Sequence, residues 1–408
     1  MGEFFTTSTK FRLARSLITK NRPIYVQYYV TARCNLACEQ CNIIYANADV
    51  KEATTAEADA VAENLAAIGV SVVLLTGGEP FSRLDLPDIV RSFAKRGLHV
   101  RLQTNGLAPR ERLKACVDAG ANDISISLDS LDPGIQEAIN GAVPNSWTRA
   151  IKAMAHVNDL FPSDSFAALG CVVAPRNLEH IPDVIRFATA IGWWVSLVPA
   201  HTTSNGKPLN FRTYDASLRF PKSMLGRVDA ILAEVKSMRD QGFYVYDSDP
   251  YFEEIRRHIH GEPLTWRDRS GGVCDSPNLY FAVLPNADMA VCCDWRMPSK
   301  ISVAAANFPE IYRKKSTFDE AQSVASRCDG CLYGSFPEIS ISARYFQPML
   351  KRALFFGKKP PDRQLAKLSA EQMLQIAADI RAKSPHLYRQ VATNKAEPKA
   401  SNSEELGQ

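Results

Sequence analysis

Three absences narrow the class of protein to which this chain of 408 residues can belong. Its strongest apolar stretch, residues 70–76, is as long as a strand and too short to cross a membrane as a helix. The amino-terminal sequence MGEFFTT has neither the apolar segment nor the cleavage site of a secretory signal, so we expect a cytoplasmic protein. The net charge of +4 is too small over this length to indicate a nucleic-acid partner.

A fourth absence concerns the first cysteine group. Cys34, Cys38 and Cys41 form a C-x3-C-x2-C motif directly after the strand-like segment 24–30, and the next cysteine, Cys116, is far downstream. A closed [4Fe-4S] cluster takes four cysteine ligands. Three thiolates on one short loop therefore predict a cluster with one open iron.

Two other uses of the triad are less well supported. A structural zinc site usually has a second C-x2-C pair or following histidines, and His99 is the first histidine after the triad. A disulfide framework is typical of secreted proteins, and this chain shows no export signal.

A second motif accompanies the triad. The sequence Gly77-Gly78-Glu79-Pro80 ends the apolar segment 70–76, and in order and separation the two motifs resemble the radical S-adenosylmethionine (radical SAM) enzymes. In that family the open iron chelates S-adenosylmethionine (SAM), and the cluster, reduced by a flavodoxin- or ferredoxin-type donor, cleaves it to methionine and a 5'-deoxyadenosyl radical. The resemblance implies that these four residues form the wall that holds the methionine amino group.

The pattern of the first half of the chain predicts an α/β fold. With 46% hydrophobic residues, the chain can form a barrel-sized core plus a further module. Strands are predicted at 24–30, 70–76, 99–103, 123–128, 168–173 and 194–198. Helices are predicted at 55–68, 86–96, 110–119, 147–158 and 178–191. This alternation predicts a parallel sheet, and the resemblance implies a partial (β/α)6 TIM-like barrel that is open on one side.

Polar residues follow several predicted strands, where barrel active sites lie. Asn105, Ser127 and Asp129 are candidates for contact with SAM; the resemblance implies that Ser127 and Asp129 contact its ribose and methionine. Alternatively, Asp129 caps the turn 129–133 and Asn105 is a left-handed turn residue. His201 is either an acid or base at the barrel rim or, as we expect, a solvated loop residue.

A second cysteine group consists of Cys274, the pair Cys292-Cys293, and Cys328 and Cys331, around a predicted hairpin at 279–292. It resembles the SPASM domain, or its shortened twitch form, which binds auxiliary clusters. The match is partial, because Cys331 is the last cysteine in the chain. We predict one auxiliary [4Fe-4S] cluster on Cys274, Cys292 or Cys293, Cys328 and Cys331, while a structural zinc site stays open.

The remaining candidates lie outside these motifs. Cys116 and Cys171 fit buried apolar positions. In the linker after the barrel, Asp247, Asp249 and Glu253 are acid-base candidates, although exposed carboxylates are the simpler expectation.

Two basic amphipathic helices, at 11–18 and 344–359, suit either a membrane surface or packing against the barrel. We divide the chain into an N-terminal helical segment (1–22), the barrel (23–200), a linker and helix (201–272), the auxiliary-cluster domain (273–340), C-terminal helices (341–391) and a disordered tail (392–408).

These observations predict a radical SAM oxidoreductase. Its radical would abstract hydrogen from a biosynthetic substrate, and the auxiliary cluster would accept an electron, so that a peptide or natural product is oxidised or cross-linked. The alternatives are a tetrapyrrole or membrane-associated lipid substrate, or a non-enzymatic iron-sulfur carrier. No catalytic residue that acts on the substrate is identified, and the sequence does not name the substrate.

Overall fold

The computed structural model describes residues 5–41, 51–201, 216–266, 274–328, 330–357 and 365–388. The predicted tail at 392–408 and the loop that follows His201 lie outside these ranges. The strands are β1 Tyr25–Thr31, β2 Val72–Gly77, β3 His99–Thr104, β4 Asp123–Ser127, β5 Ala167–Val173, β6 Trp194–Pro199, β7 Tyr280–Val283 and β8 Met289–Ala290. All six strands predicted for the barrel are therefore present.

Helices alternate with the first six strands and then surround the hairpin. They are α1 Thr7–Thr19, α2 Thr55–Ile68, α3 Leu86–Ala94, α4 Arg110–Asp118, α5 Pro133–Ile139, α6 Ser146–Leu160, α7 Ile181–Ile191, α8 Leu225–Asp240, α9 Asp249–His260, α10 Phe308–Tyr312, α11 Lys315–Ala325, α12 Ser335–Arg344, α13 Phe346–Gly357, α14 Ala370–Lys383 and α15 Pro385–Tyr388.

The sheet is continuous from the barrel into the hairpin. Strands β1 to β6 are parallel, in the order β6-β5-β4-β3-β2-β1, which confirms the predicted α/β class. The other edge of β1 pairs in parallel with β7, so that Tyr25 lies opposite Tyr280, and β8 pairs antiparallel with β7. This pairing brings the second cysteine group next to the strand that leads into the triad.

Local capping explains several helix boundaries. The Thr54 hydroxyl accepts the Glu57 N–H and the Glu57 carboxylate accepts the Thr54 N–H, which begins α2 at the predicted residue. Helix α7 begins three residues later than predicted, because Leu178–His180 form a separate 3-10 turn. Helix α5 was not predicted; Asp132 caps it by accepting the Ile135 N–H at 2.9 Å.

The core has one layer outside the sheet and one inside the barrel. Val26, Tyr28 and Val30 of β1 are buried among the helices that cover the sheet. Tyr25, on the opposite face of the same strand, packs inside the barrel with Phe5 and other apolar side chains. Cys116 and Cys171 are fully buried, as predicted. Within the described part of the chain, no helix is both long enough and apolar enough to span a membrane.

Candidate functional site

The triad loop begins in direct backbone contact with the glycine motif at the end of β2. The Gly78 N–H donates to the Thr31 carbonyl at 2.8 Å, and the Glu79 N–H donates to the Arg33 carbonyl at 2.7 Å. A Cβ on Gly77 would lie 2.3 Å from the Thr31 oxygen, and a Cβ on Gly78 would lie 2.2 Å from the Arg33 oxygen. No side chain fits in this contact, so the sequence requires glycine at both positions.

The middle of the loop rests on the end of α5. The Ala37 N–H donates to the Asn140 carbonyl at 3.4 Å, and the Glu39 N–H donates to the Ile139 carbonyl at 3.0 Å. A Cβ on Gly141 would lie 2.7 Å from the Ala37 oxygen. A helix that the sequence pattern did not predict therefore supports the cysteine loop.

The three thiols of the loop are half-buried. The Leu36 N–H donates to Cys34 Sγ at 3.4 Å, and Cys38 Sγ lies 3.8 Å from Asn140 Oδ1. Burial, followed by smaller contributions from neighbouring groups that include Cys41, raises the pKa of the Cys34 and Cys38 thiols. Iron that binds to these thiols must therefore displace their protons.

Glu79 organises the next strand end. It is only 2% exposed, and its carboxylate accepts the N–H groups of Phe81 and Asn105 and the Thr104 hydroxyl at 2.8 to 3.0 Å. Burial raises its pKa to about 7, and these donors oppose the shift. Asn105 in turn donates to Asn35 Oδ1 of the triad loop at 2.7 Å. Asn105 does not have a positive φ, so its interpretation as a left-handed turn residue was wrong.

Asp129 contacts the other end of the loop. Its carboxylate accepts the Val172 N–H at 2.6 Å and the Gln40 side-chain amide at 3.0 Å. Burial raises the pKa of Asp129 to about 6. Gln40 Oε1 is buried and has no hydrogen-bond partner within the described part of the chain. Asp129 thus holds Gln40 beside the cysteines, and within the described residues its carboxylate accepts no hydrogen bond from the turn 129–133.

The structure therefore gathers most of the predicted cofactor residues around one loop. Pro80, the last residue of the motif, is buried and begins a 3-10 turn over residues 80–82. Ser127 is the last residue of β4, half-buried and opposite Gly170 of β5. Gln40 was missed by sequence reasoning, although it lies inside the triad motif. Thr104 was noted only as a polar residue at the end of the third strand and was given no contact with Glu79.

The second cysteine group surrounds a separate cavity. Cys274, Cys292, Cys328 and Cys331 all line it. The larger side chains of its wall are Trp266, Tyr280, Trp295 and Phe336. Cys293 instead lies with Tyr29 and Ala282 in an apolar cluster on the other side of its chain segment. Of the two adjacent cysteines, Cys292 is the one that the structure brings to the other three.

Hydrogen bonds and burial shift the pKa values of these thiols. A hydrogen bond with Cys293 lowers the pKa of Cys292. Burial raises the pKa of Cys274 to about 12 and also raises the pKa of Cys331 above its ordinary value. No three His, Cys, Asp or Glu side chains within the described ranges form a group suited to a single metal ion. Ligands of a [4Fe-4S] cluster bind different irons and surround a space instead.

Two expectations about polar residues are corrected. His201 is half-buried: its Nε2 accepts the Leu332 N–H at 2.9 Å, and its ring stacks on Tyr333 at 3.9 Å. It is therefore not a solvated loop residue. Asp247 is 2% exposed and accepts the Ser196 hydroxyl and the Leu197 N–H; burial, followed by the charge of Glu338, raises its pKa to about 7.

The other two linker carboxylates, Asp249 and Glu253 of α9, both form ion pairs. Asp249 lies 2.6 Å from the Arg239 guanidinium, and Glu253 lies 3.0 Å from that of Arg256. Both are partly exposed, as expected for linker carboxylates.

Comparison with known proteins agrees with this geometry. Residues 28–188, which include the triad and Gly77 to Pro80, match the Radical SAM superfamily. The chain therefore carries a radical SAM domain, and the resemblance seen in its sequence motifs is confirmed.

Curated relatives match part of the chain. The PqqA peptide cyclase of Bradyrhizobium diazoefficiens is 32% identical over 168 residues, which are 41% of this chain and 43% of that protein. The Fe-coproporphyrin III synthase of Methanosarcina barkeri is 36% identical over 280 residues, 65% of this chain and 60% of that protein. The chain spans less than half the length of the first curated relatives that it matches.

A solved structure confirms the fold. SuiB of Streptococcus suis, crystallised with the precursor peptide SuiA, superposes with a TM-score of 0.58 at 14% identity. The superposition covers 83% of this chain and 77% of SuiB. The partial barrel that the resemblance implied is thus the fold of this protein.

Proposed function

We propose that this protein is a radical SAM enzyme whose loop cysteines Cys34, Cys38 and Cys41 bind a [4Fe-4S] cluster. The observation that carries the proposal is the way in which this loop is held. Gly77 and Gly78 contact its start so closely that no side chain fits, and the buried carboxylate of Glu79 orders the adjacent strand end. Three half-buried thiols on a loop fixed in this way fit three irons of a cluster.

When SAM is bound, the reduced cluster supplies the electron that cleaves it to methionine and a 5'-deoxyadenosyl radical. The chain's own residues orient SAM and exclude water. We assign the amino group of SAM to Gly77, Gly78, Glu79 and Pro80. The buried Gln40 Oε1 is an acceptor without a partner in the described structure, which suits an ammonium or hydroxyl donor of SAM.

Two further groups complete the proposed SAM site. Ser127 and Asp129 lie at or just beyond the end of β4, where a ribose would contact them. Asn105 connects Glu79 to the triad loop and so positions both groups relative to each other.

We propose a second [4Fe-4S] cluster in a SPASM- or twitch-type region, ligated by Cys274, Cys292, Cys328 and Cys331. The four thiols line one cavity with an aromatic wall, which supports a cluster shielded from water. Such a cluster would accept the electron left on the substrate radical, and the net reaction would then be an oxidation or a cross-link. Structural zinc is the competing use of four thiols.

We propose a ribosomal peptide as the substrate class, because the relatives that match the radical SAM domain include peptide cyclases. A tetrapyrrole is the second candidate, since the Fe-coproporphyrin III synthase matches a larger part of this chain. The electron donor would be a flavodoxin- or ferredoxin-type protein in the reducing cytoplasm, where ten free cysteines stay reduced.

We also propose peripheral contact with an anionic membrane surface through α1 and α13. Leu13 and Leu17 of α1 line an interior cavity, as does Arg352 of α13, so both helices flank the same region of the barrel. Their outer sides expose large apolar residues. These are Phe11 and Ile18 of α1 and Phe346, Leu350 and Leu354 of α13, and Tyr345, directly before α13, is exposed as well.

The charge of this face supports an anionic partner. Residues 7–24 and 344–357 contain no acidic residue and eight lysines or arginines. Helices that combine apolar side chains with basic flanks bind the interface of anionic bilayers. One side of α1 then packs against the barrel, and the opposite side contacts the membrane.

Formation of 5'-deoxyadenosine tests the main proposal. The anaerobically reconstituted protein should release it from SAM in the presence of dithionite, and so should the Cys116→Ala variant, whose cysteine lies in the helical layer. The Cys34→Ala variant should release none. A wild-type protein that binds iron but yields no 5'-deoxyadenosine would show that the enzyme assignment is wrong and would favour an iron-sulfur carrier.

A further inference from the structure

The chain directly after the last cysteine is held from three sides. The Leu332 N–H donates to His201 Nε2 at 2.9 Å, and the Leu332 carbonyl accepts the Tyr251 hydroxyl at 2.9 Å. The Tyr333 hydroxyl donates to Asp294 Oδ1 at 3.2 Å. Two residues that follow Cys331 are therefore fixed to the end of β6, to α9 and to the segment after Cys293.

Stacking strengthens the contact with β6. The His201 and Tyr333 rings are 3.9 Å apart with an angle of 16° between their planes. His258 adds a second ring beside His201 at 5.3 Å. Because Nε2 accepts a backbone N–H, the ring proton of His201 lies on Nδ1 in this contact. Hydrogen bond and stacking together define one orientation of Tyr333 relative to the barrel.

The orientation of Tyr333 matters because of its backbone. The Tyr333 N–H donates to the sulfur of Cys331. Hydrogen bonds to cluster sulfurs help to set the reduction potential of an iron-sulfur cluster, since they stabilise the more negative, reduced form. A side chain that orients this amide therefore acts on the cluster without touching it.

We propose that His201 is a positioning residue for the auxiliary cluster: by accepting the Leu332 N–H and stacking on Tyr333, it holds the Tyr333 amide against the Cys331 sulfur and raises the reduction potential of that cluster. The inference rests on the proposed [4Fe-4S] cluster at Cys274, Cys292, Cys328 and Cys331. It adds a function for His201, which lies two residues beyond the carboxyl end of β6 and so connects the substrate end of the barrel to the electron acceptor.

The test uses a parent protein that can bind only the auxiliary cluster. In the full chain, Cys34, Cys38 and Cys41 are replaced by alanine, and the midpoint potential of the remaining cluster is measured by a redox titration followed by electron paramagnetic resonance. Three substitutions separate the two contacts of His201. His201→Gln keeps an acceptor of similar reach, His201→Phe keeps the ring, and His201→Ala removes both.

The midpoint potential should become more negative than that of the parent in His201→Phe and in His201→Ala. The potential of His201→Gln should lie close to that of the parent. Equal potentials in the parent, His201→Phe and His201→Ala would overturn the proposal, and so would a His201→Gln value equal to that of His201→Ala. Circular dichroism and iron content identify a variant that fails to fold; Tyr333→Leu, which removes the stacking partner, then serves in its place with the same expected direction.

Failure of the auxiliary-cluster proposal and failure of the role of His201 give different results in this experiment. A parent protein that contains zinc or no metal would contradict the auxiliary cluster and this inference together. A parent protein with about four irons, whose potential does not respond to His201, would contradict only the role of His201.

Discussion

The carbonyl oxygen of Arg33 lies where the side chain of residue 78 would have to be: a Cβ on Gly78 would be 2.2 Å from it. The glycine motif and the triad loop are thus one packed unit.

We predict that Gly78→Ala disrupts this unit. The added methyl must push the Arg33 backbone away, which displaces Cys34, so the variant should lose most of about four irons of the first cluster. Gly226→Ala is the matched control, because a Cβ there meets no atom within 4 Å. Iron analysis after identical reconstitution compares the two variants. Wild-type iron content in Gly78→Ala would show that the contact does not shape the cluster loop.

The adjacent cysteines give a second prediction. Cys292 lines the cavity with the other three thiols, whereas Cys293 packs against Tyr29 and Ala282. Cys292→Ser should therefore lose the auxiliary cluster, or about four irons per chain, and Cys293→Ser should keep it. The reverse pattern would mean that Cys293 is the ligand.

The buried Asp129 gives a prediction about pH. Its pKa is raised from 3.8 to about 6 by burial, so the folded protein binds this proton more tightly than the unfolded chain. The stability that the proton contributes is fully present below pH 4 and is lost as the pH rises through 6. Asp129→Asn removes this dependence, and a flip of the Gln40 amide lets its Oε1 accept from the new amide.

Urea unfolding of the metal-free protein under reducing conditions measures this effect. Between pH 4 and pH 7, the free energy of unfolding of Asp129→Asn should rise by up to about 3 kcal/mol relative to that of wild type. A stability difference that does not change over this range would mean that Asp129 is ionised at an ordinary pKa.

These predictions also show where sequence reasoning succeeds. The predicted bounds of helix α2 match the structure, where Thr54, Glu57 and Gly69 cap its two ends with local contacts. The triad and Gly77 to Pro80 are short motifs that can be read from the sequence alone, and the family they indicated matches residues 28–188.

Contacts between distant parts of the chain could not be predicted from the sequence. The pairing of β1 with β7 places Tyr25 opposite Tyr280, and no local pattern specifies such a partner. Gln40 meets Asp129, 89 positions away, only because α5 and the strand ends bring them together. Asp247 looked like an exposed linker carboxylate, yet β6 supplies two hydrogen-bond donors to it, the Ser196 hydroxyl and the Leu197 N–H. Tyr333 has no motif at all, and only the fold reveals its contact with His201.

The proposed membrane contact predicts flotation with vesicles. The protein should float with vesicles that contain phosphatidylglycerol and much less with pure phosphatidylcholine, and high salt should weaken the binding. Phe11→Ser and Leu350→Ser should each reduce the affinity about tenfold, because each removes apolar area from the interface. Leu84→Ser, at an exposed leucine between β2 and α3, is the control. Equal flotation of all four proteins would rule out this face as the contact.

The central claim is that the two cysteine groups hold two iron-sulfur clusters. Its most direct test is the iron, sulfide and zinc content of the anaerobically reconstituted wild-type chain. Two [4Fe-4S] clusters should give about eight irons and about eight sulfides per chain with no zinc. About four irons together with about one zinc would contradict it, because the second group would then be a structural zinc site.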